Sequence, residues 1–323
     1  MLGWGDELDV IGVCASGEDA LQAVRRTEPD LVVIDLELPG MGGLRAIEEI
    51  VRLRPVPVVV LSAHVGRGSP NVAASLAAGA VEALPKSQLR VDEPDGAAAV
   101  ALRHRLRRLA RARVGNRGAM RATPPQTPRI RPAPRPGVIG ICASTGGPSA
   151  LATILADLPA SFPLPVLVAQ HMADGFIDSL VSWLDERVPL PVAVVRRNMR
   201  LTRGIWFAPD DGHLVLLPPM QVAVQRDADT DVLTPSADVL LASMADALGA
   251  SAVGVVLTGM GRDGGQGVSA ITRAGGCVIA QDEETSIVFG MPRTAIERGA
   301  TAVLPLERIA AALRQLAVEE VAP

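Results

Sequence analysis

Cysteine is scarce in this chain. Cys14, Cys142 and Cys277 are odd in number and far apart in 323 residues, which speaks against both a disulfide framework and a zinc-ligand set and fits a reducing compartment. Long apolar runs are missing as well. Although 48% of residues are hydrophobic, no stretch reaches the roughly 18 uninterrupted apolar residues that a membrane span requires. Nor is there an excess of one charge: 31 basic and 35 acidic residues leave a net charge of −4, so no global field draws the protein to nucleic acid or anionic lipid. The start carries Asp6, Glu7 and Asp9 instead of the basic segment and apolar run of a secretory signal. The expectation is a soluble, cytoplasmic protein without nucleic-acid partners or membrane insertion.

The length suits two ordinary domains better than one large one. Between 115 and 137, Pro124, Pro125, Pro128, Pro132, Pro134 and Pro136 alternate with Arg117, Arg121, Arg129, Arg131 and Arg135. Such a segment buries no core and predicts an extended linker between domains at 1–114 and 138–323. Just before it, Val100 to Val114 reads as a helix with Leu102, Leu106 and Leu109 on one face and solvated arginines around the rest. On both sides of the linker, β-branched runs alternate with helical stretches. Strands are predicted at Val10 to Ala15, Leu31 to Ile34, Val58 to Leu61, Val138 to Ala143, Val166 to Ala169, Ala252 to Leu257 and Cys277 to Ala280. Helices are predicted at Glu18 to Arg26, Leu44 to Leu53 and Val72 to Ala78. The pattern implies two doubly wound α/β domains with mostly parallel sheets, whose ligands lie outside the carboxyl ends of the strands.

Three such ends in the second domain carry chemistry. Ser144 falls in Gly137-Val-Ile-Gly-Ile-Cys-Ala-Ser-Thr-Gly-Gly-Pro148, where a buried strand turns abruptly into a helix. That is the setting of a nucleophile elbow, although a serine there can also simply cap the helix. The segment has no P-loop lysine and lacks the spacing of a dinucleotide fingerprint. Among the histidines His64, His104, His171 and His213, His171 directly follows the strand ending at Ala169. His213 lies in the turn Ala-Pro-Asp-Asp-Gly-His and ranks lower as a base by placement, while His104 belongs to the arginine-rich helix. Asp263, in Thr258-Gly-Met-Gly-Arg-Asp-Gly264, follows a third strand and can orient a histidine or merely stabilise its own turn.

The segments Ala143-Ser-Thr-Gly-Gly, Gln170-His-Met, Phe207-Ala-Pro, Pro235-Ser-Ala-Asp238, Leu257 to Gly264 and Val288-Phe-Gly-Met-Pro-Arg293 together resemble the chemotaxis protein-glutamate methylesterase family. The likeness runs through nearly all of 138–315. It implies a Rossmann-like serine hydrolase domain with a Ser144, His171, Asp263 triad and an oxyanion hole from the backbone N–H groups of Met260 and Thr145. The implied reaction releases methanol from glutamate γ-methyl esters on the cytoplasmic domains of methylated chemoreceptors, without metal or cofactor. It leaves open whether receptor glutamines are deamidated too. The chain order Ser, His, Asp differs from the Ser, Asp, His of α/β-hydrolases. Cys142 departs from the family's usual glycine and raises the expectation of a tighter turn or an oxidation-sensitive one.

The first domain resembles a flavodoxin-like response-regulator receiver. Asp35 matches the phosphoacceptor, Ser62 the hydroxyl that contacts the phosphoryl group, and Lys86, the only lysine in the chain, the receiver lysine. The likeness implies a sensor histidine kinase as phosphoryl donor if the receiver works. Val10 to Ala15 corresponds to the second receiver strand, so the first strand and its Mg²⁺-binding acidic pair are missing. Either the true start lies upstream or the domain has lost its metal site, which puts Mg²⁺-supported phosphorylation in doubt. Two rivals to the methylesterase reading are an inactive hydrolase domain used only for binding, and an esterase acting on a small molecule.

Overall fold

The computed structural model describes residues 8–63, 70–89, 96–111, 136–226 and 233–318. Asp6, Glu7, His64 and all of the expected linker up to Arg135 lie outside the described residues.

The N-terminal part alternates α1 (Gly17–Thr27), β1 (Val32–Asp35), α2 (Gly43–Leu53), β2 (Val58–Ser62), α3 (Pro70–Ala77), β3 (Glu82–Pro85) and α4 (Ala97–Ala110). Its strands form a parallel sheet in the order β1-β2-β3. Val58, Val59 and Val60 of the central strand are fully buried, as expected of a parallel strand covered on both faces. Helix α1 starts where the Ser16 hydroxyl accepts the Asp19 N–H at 3.2 Å. Glu18 then ties this helix to the loop after β1 by accepting the Met41 N–H at 2.8 Å.

Two expectations need correction here. Val10 to Ala15 is not a strand: it pairs with no described residue, and Val10, Ile11 and Val13 are exposed, Val13 to 91%. β-Branched residues favour a strand only where a neighbour takes the backbone groups and packs the side chains, and no strand flanks this run among the described residues. The arginines of α4 are not all solvated either. Arg103 is buried, and Arg105 pairs with Glu82, itself buried on β3. A carboxylate drawn into the sheet needs a cation close by, which turns that face of the helix inward.

The second part contains β4 (Val138–Ala143), α5 (Gly147–Ala156), β5 (Val166–Gln170), α6 (Ile177–Asp185), β6 (Val192–Val194), β7 (Met199–Arg200), β8 (Ile205–Phe207), β9 (His213–Leu217) and β10 (Gln221–Gln225). It continues through α7 (Ala237–Leu248), β11 (Ala252–Val256), α8 (Gly265–Arg273), β12 (Cys277–Gln281), α9 (Met291–Glu297), β13 (Ala302–Leu304) and α10 (Leu306–Val318). Seven strands form one parallel sheet in the order β13-β12-β11-β4-β5-β8-β6. Side chains of β4 alternate between its faces. Ile139, Ile141 and Ala143 enter a core with residues of α5, α6 and α10, whereas Val138 and Cys142 join residues of α7, α8 and α9 on the other side. A small antiparallel sheet, β7-β10-β9, sits between β6 and α7 in sequence and was not anticipated. The chain first builds outward from β4 through β5, then crosses to β11 on the other flank of β4. Its topological switch point, where open α/β sheets bind their ligands, is therefore at β4.

Candidate active site

The three central strands β11, β4 and β5 deliver Asp263, Ser144 and His171 to one edge of the sheet. Ala143 and Gln170 are register partners, and the His171 N–H donates to the Ala143 carbonyl at 2.9 Å. On the other flank the Ser144 N–H donates to the Thr258 carbonyl at 3.1 Å. The loops can approach this closely only because they lack side chains at two points. A Cβ on Gly147 would strike Gln170 Oε1 and lie 2.8 Å from the Ala143 Cβ, and one on Gly259 would lie 2.8 Å from the Ser144 Cβ.

His171 is buried, and its Nε2 lies 2.8 Å from Asp263 Oδ2. Because a carboxylate there accepts, Nε2 carries the proton and Nδ1 keeps a lone pair. Nδ1 is buried without a hydrogen-bond partner, and the Ser144 hydroxyl makes no hydrogen bond among the described residues. The backbone N–H groups of Met260 and Thr145 likewise have no acceptor among the described residues. The site thus has an orienting carboxylate already engaged and a hydroxyl, a ring nitrogen and two backbone donors left open. Such a set can perform acyl transfer.

Asp263 is held by more than His171. Its Oδ2 also accepts the Ala237 N–H at 2.7 Å, and Oδ1 accepts the Asp238 N–H at 2.9 Å, the Gly264 N–H at 3.0 Å and the Ser236 hydroxyl at 3.0 Å. It therefore occupies the N-terminus of α7, where N–H groups and the helix dipole favour an anion. Burial pushes its carboxyl up, but the hydrogen bond from His171, the charge that ring carries when protonated, and the helix N–H groups outweigh this, and the net result is a carboxyl below its ordinary range. The arrangement is reciprocal. Asp238, in the first turn of α7, accepts the Gly267 N–H of α8 at 2.8 Å, so each helix start is capped by a carboxylate from beside the other.

Other buried polar groups brace the loops. Gln170 Nε2 donates to the carbonyls of Ser144 at 2.9 Å and His171 at 2.7 Å. The Thr258 hydroxyl donates to the Thr145 carbonyl at 3.0 Å and accepts the Val288 N–H at 3.0 Å. Gln170 and Thr258 stand within the motifs of the sequence, where no local signal marks them for these roles. His213, ranked there as a weaker base, is buried at the start of β9, and its Nδ1 accepts the Ser236 N–H at 3.0 Å. Cys142, raised above as a site of oxidation, is fully buried, and burial, with the charges of Asp263 and Asp238, pushes its thiol well above the ordinary range, which disfavours the reactive thiolate.

A protein-family model described as CheB methylesterase matches residues 139–313. The chain belongs to the CheB methylesterase family. A second model, the response regulator receiver domain, matches residues 2–93. A protein-glutamate methylesterase/protein-glutamine glutaminase of Myxococcus xanthus is 41% identical over 88% of this chain and 82% of its own length. One of Paramagnetospirillum magneticum is 38% identical over 96% and 89%. The crystal structure of the Thermotoga maritima CheB methylesterase catalytic domain superposes with a TM-score of 0.54 at 37% identity, over 56% of this chain and 98% of that one. In this member of the CheB family the receiver-like sheet packs directly on the site. The Gly146 N–H, two residues past Ser144, donates to the Val81 carbonyl at 3.0 Å. Met260 and Ile287 pack against a cluster containing Val59, Val81, Leu84 and Leu106. Phe176, fully buried, joins Val72 and Leu76 of α3. The matching receiver residues also meet one another: Lys86 Nζ lies 2.5 Å from Asp35 Oδ2, and Ser62 is buried at the end of β2.

Proposed function

We propose that this hydrolase cleaves glutamate γ-methyl esters on chemoreceptors through Ser144, His171 and Asp263, within a cytoplasmic setting. The observation that carries this reading is the His171 Nε2 contact to Asp263 at 2.8 Å, with Nδ1 uncommitted at the strand end that presents Ser144. Ser144 attacks the ester carbonyl while His171 Nδ1 takes the hydroxyl proton. Asp263 holds the ring and stabilises its cation, and the N–H groups of Met260 and Thr145 receive the oxyanion. His171 then returns the proton to the leaving methoxide, methanol departs, and water repeats the sequence to release glutamate. Replacing the ester by a glutamine amide changes only the leaving group, to ammonia, which extends the same reading to deamidation.

The receiver-like sheet restrains this chemistry in our reading, because Val81 and Phe176 place it across the entrance. A histidine kinase is the partner that would act on Asp35 if the receiver is functional. The described residues do not fit a Mg²⁺ site there: the Asp35 carboxylate is taken up by Lys86 and by the Glu37 N–H at 3.0 Å. No cluster of three His, Cys, Asp or Glu side chains suited to a metal occurs among the described residues, so no step is routed through the ion.

Methanol release from methylated receptor membranes, set beside cleavage of a small aryl ester, tests the substrate class. Ser144→Ala and His171→Ala should each lower receptor demethylation by about three orders of magnitude or more, since triad members act as a unit. Loss of turnover in His213→Ala with retention in His171→Ala would reassign the base.

A further inference from the structure

We infer that His213 is a positioning residue for the triad, acting as the remote half of a helix cap that sets the Asp263 carboxylate. The inference rests on the proposed role of Asp263 in the hydrolysis. It begins with a vacancy in the local sequence. Ser236 is the N-cap of α7, and its hydroxyl accepts the Val239 N–H at 3.3 Å. In a capping box the third helical residue is Glu or Gln, whose side chain reaches back to accept the N-cap residue's own N–H. Here that residue is Val239, which has no acceptor. The Ser236 N–H is nevertheless buried, and a buried N–H must find a partner. His213 Nδ1 supplies it at 3.0 Å from the start of β9, 23 residues earlier in the chain.

This bond reaches the chemistry in two further links. Ser236 Oγ donates to Asp263 Oδ1 at 3.0 Å, and the next two backbone N–H groups, of Ala237 and Asp238, donate to the same carboxylate. Three of the groups that fix Asp263 thus hang on the placement of residues 236–238. The Ala237 N–H shares Oδ2 with His171 Nε2, so a shift of the cap moves the oxygen that orients the base. Accepting at Nδ1 commits the lone pair of that nitrogen to the Ser236 N–H. The imidazole passed over as the base serves instead as a fixed acceptor behind the carboxylate.

The test uses the full chain with His213→Asn, His213→Gln and His213→Ala, following kcat and KM for methanol release, with Ser144→Ala as control and circular dichroism to check folding. Asn places an oxygen where Nδ1 stands, whereas Gln carries its oxygen one bond further out. The Ala and Gln variants should lose about tenfold to a hundredfold in kcat, the scale of a misplaced catalytic group, with KM unchanged within about twofold. The Asn variant should stay within about threefold of the parent, which a role confined to filling the core would not produce. Wild-type release that depends on Ser144, together with an Asn variant as impaired as Ala, would overturn this inference alone. Rescue by Gln and not Asn would do the same. Equal methanol release by the parent and Ser144→Ala would instead bring down the hydrolase reading, and this inference with it.

Discussion

Asp210 shows how a single carboxylate can condition the loop that carries His171. It follows β8, and its Oδ2 accepts the Gly175 N–H at 2.8 Å, tethering the turn between His171 and Phe176. Burial pushes its carboxyl up to about 6, with Asp174 and Asp178 adding to the shift and the Gly175 N–H and Arg196 opposing it. The folded chain therefore holds this proton more readily than the unfolded one. A carboxyl raised on folding gives its stabilisation fully below its unfolded range and loses it as pH rises through the folded value. Thermal unfolding should accordingly show Asp210→Asn melting above the parent at pH 8. That advantage should shrink through about pH 6 and vanish below about pH 4, where the parent's Asp210 is protonated in both states. Parallel melting curves across this range would count against the assignment. The neighbouring salt bridge between Arg196 and Asp178 is largely exposed on the Arg196 side and should matter little.

At the scale of elements, what could be read from the sequence and what could not divide along one physical line. Strands β4, β5 and β11 are continuous buried runs of β-branched and small residues, and their ends are marked by glycine loops, so Ser144, His171 and Asp263 stood out locally. The support of Asp263 did not, because it joins residues 213, 236–238 and 263 through a helix start that exists only once α7 lies beside α8. Strands β6, β7 and β8 are two or three residues long, too short for any period to register. Val10 to Ala15 failed in the opposite sense, having the composition of a strand without a partner. The reciprocal caps make a prediction of their own. Asp238→Ala removes the acceptor for the Gly267 N–H and should cost about 1 kcal/mol of stability, as cap losses do. Urea denaturation should show the loss as a lower midpoint at unchanged slope. An unaltered midpoint would mean that water replaces the carboxylate at no cost.

For the whole molecule, the question is what holds the receiver-like sheet across the site. Three contacts among the described residues contribute. One is polar, the Gly146 N–H to the Val81 carbonyl at 3.0 Å, and two are apolar, Phe176 against Val72 and Leu76, and Met260 with Ile287 against Val81 and Leu84. The polar contact contributes about 1 kcal/mol net, whereas truncating a fully buried phenylalanine costs about 3–5 kcal/mol. The apolar knob therefore dominates the closure. Phe176→Ala should raise basal methanol release several-fold by letting the sheet part from the entrance. Because Phe176 also adjoins the His171 loop, Val72→Ala on α3 provides the matching change without touching the catalytic side, and it should raise release in the same direction by less. Acetyl phosphate with Mg²⁺ should add little to the parent, since Lys86 already holds the Asp35 carboxylate. If neither variant raised turnover while acetyl phosphate did, the closure would depend on the state of Asp35 and not on the apolar contacts of Phe176.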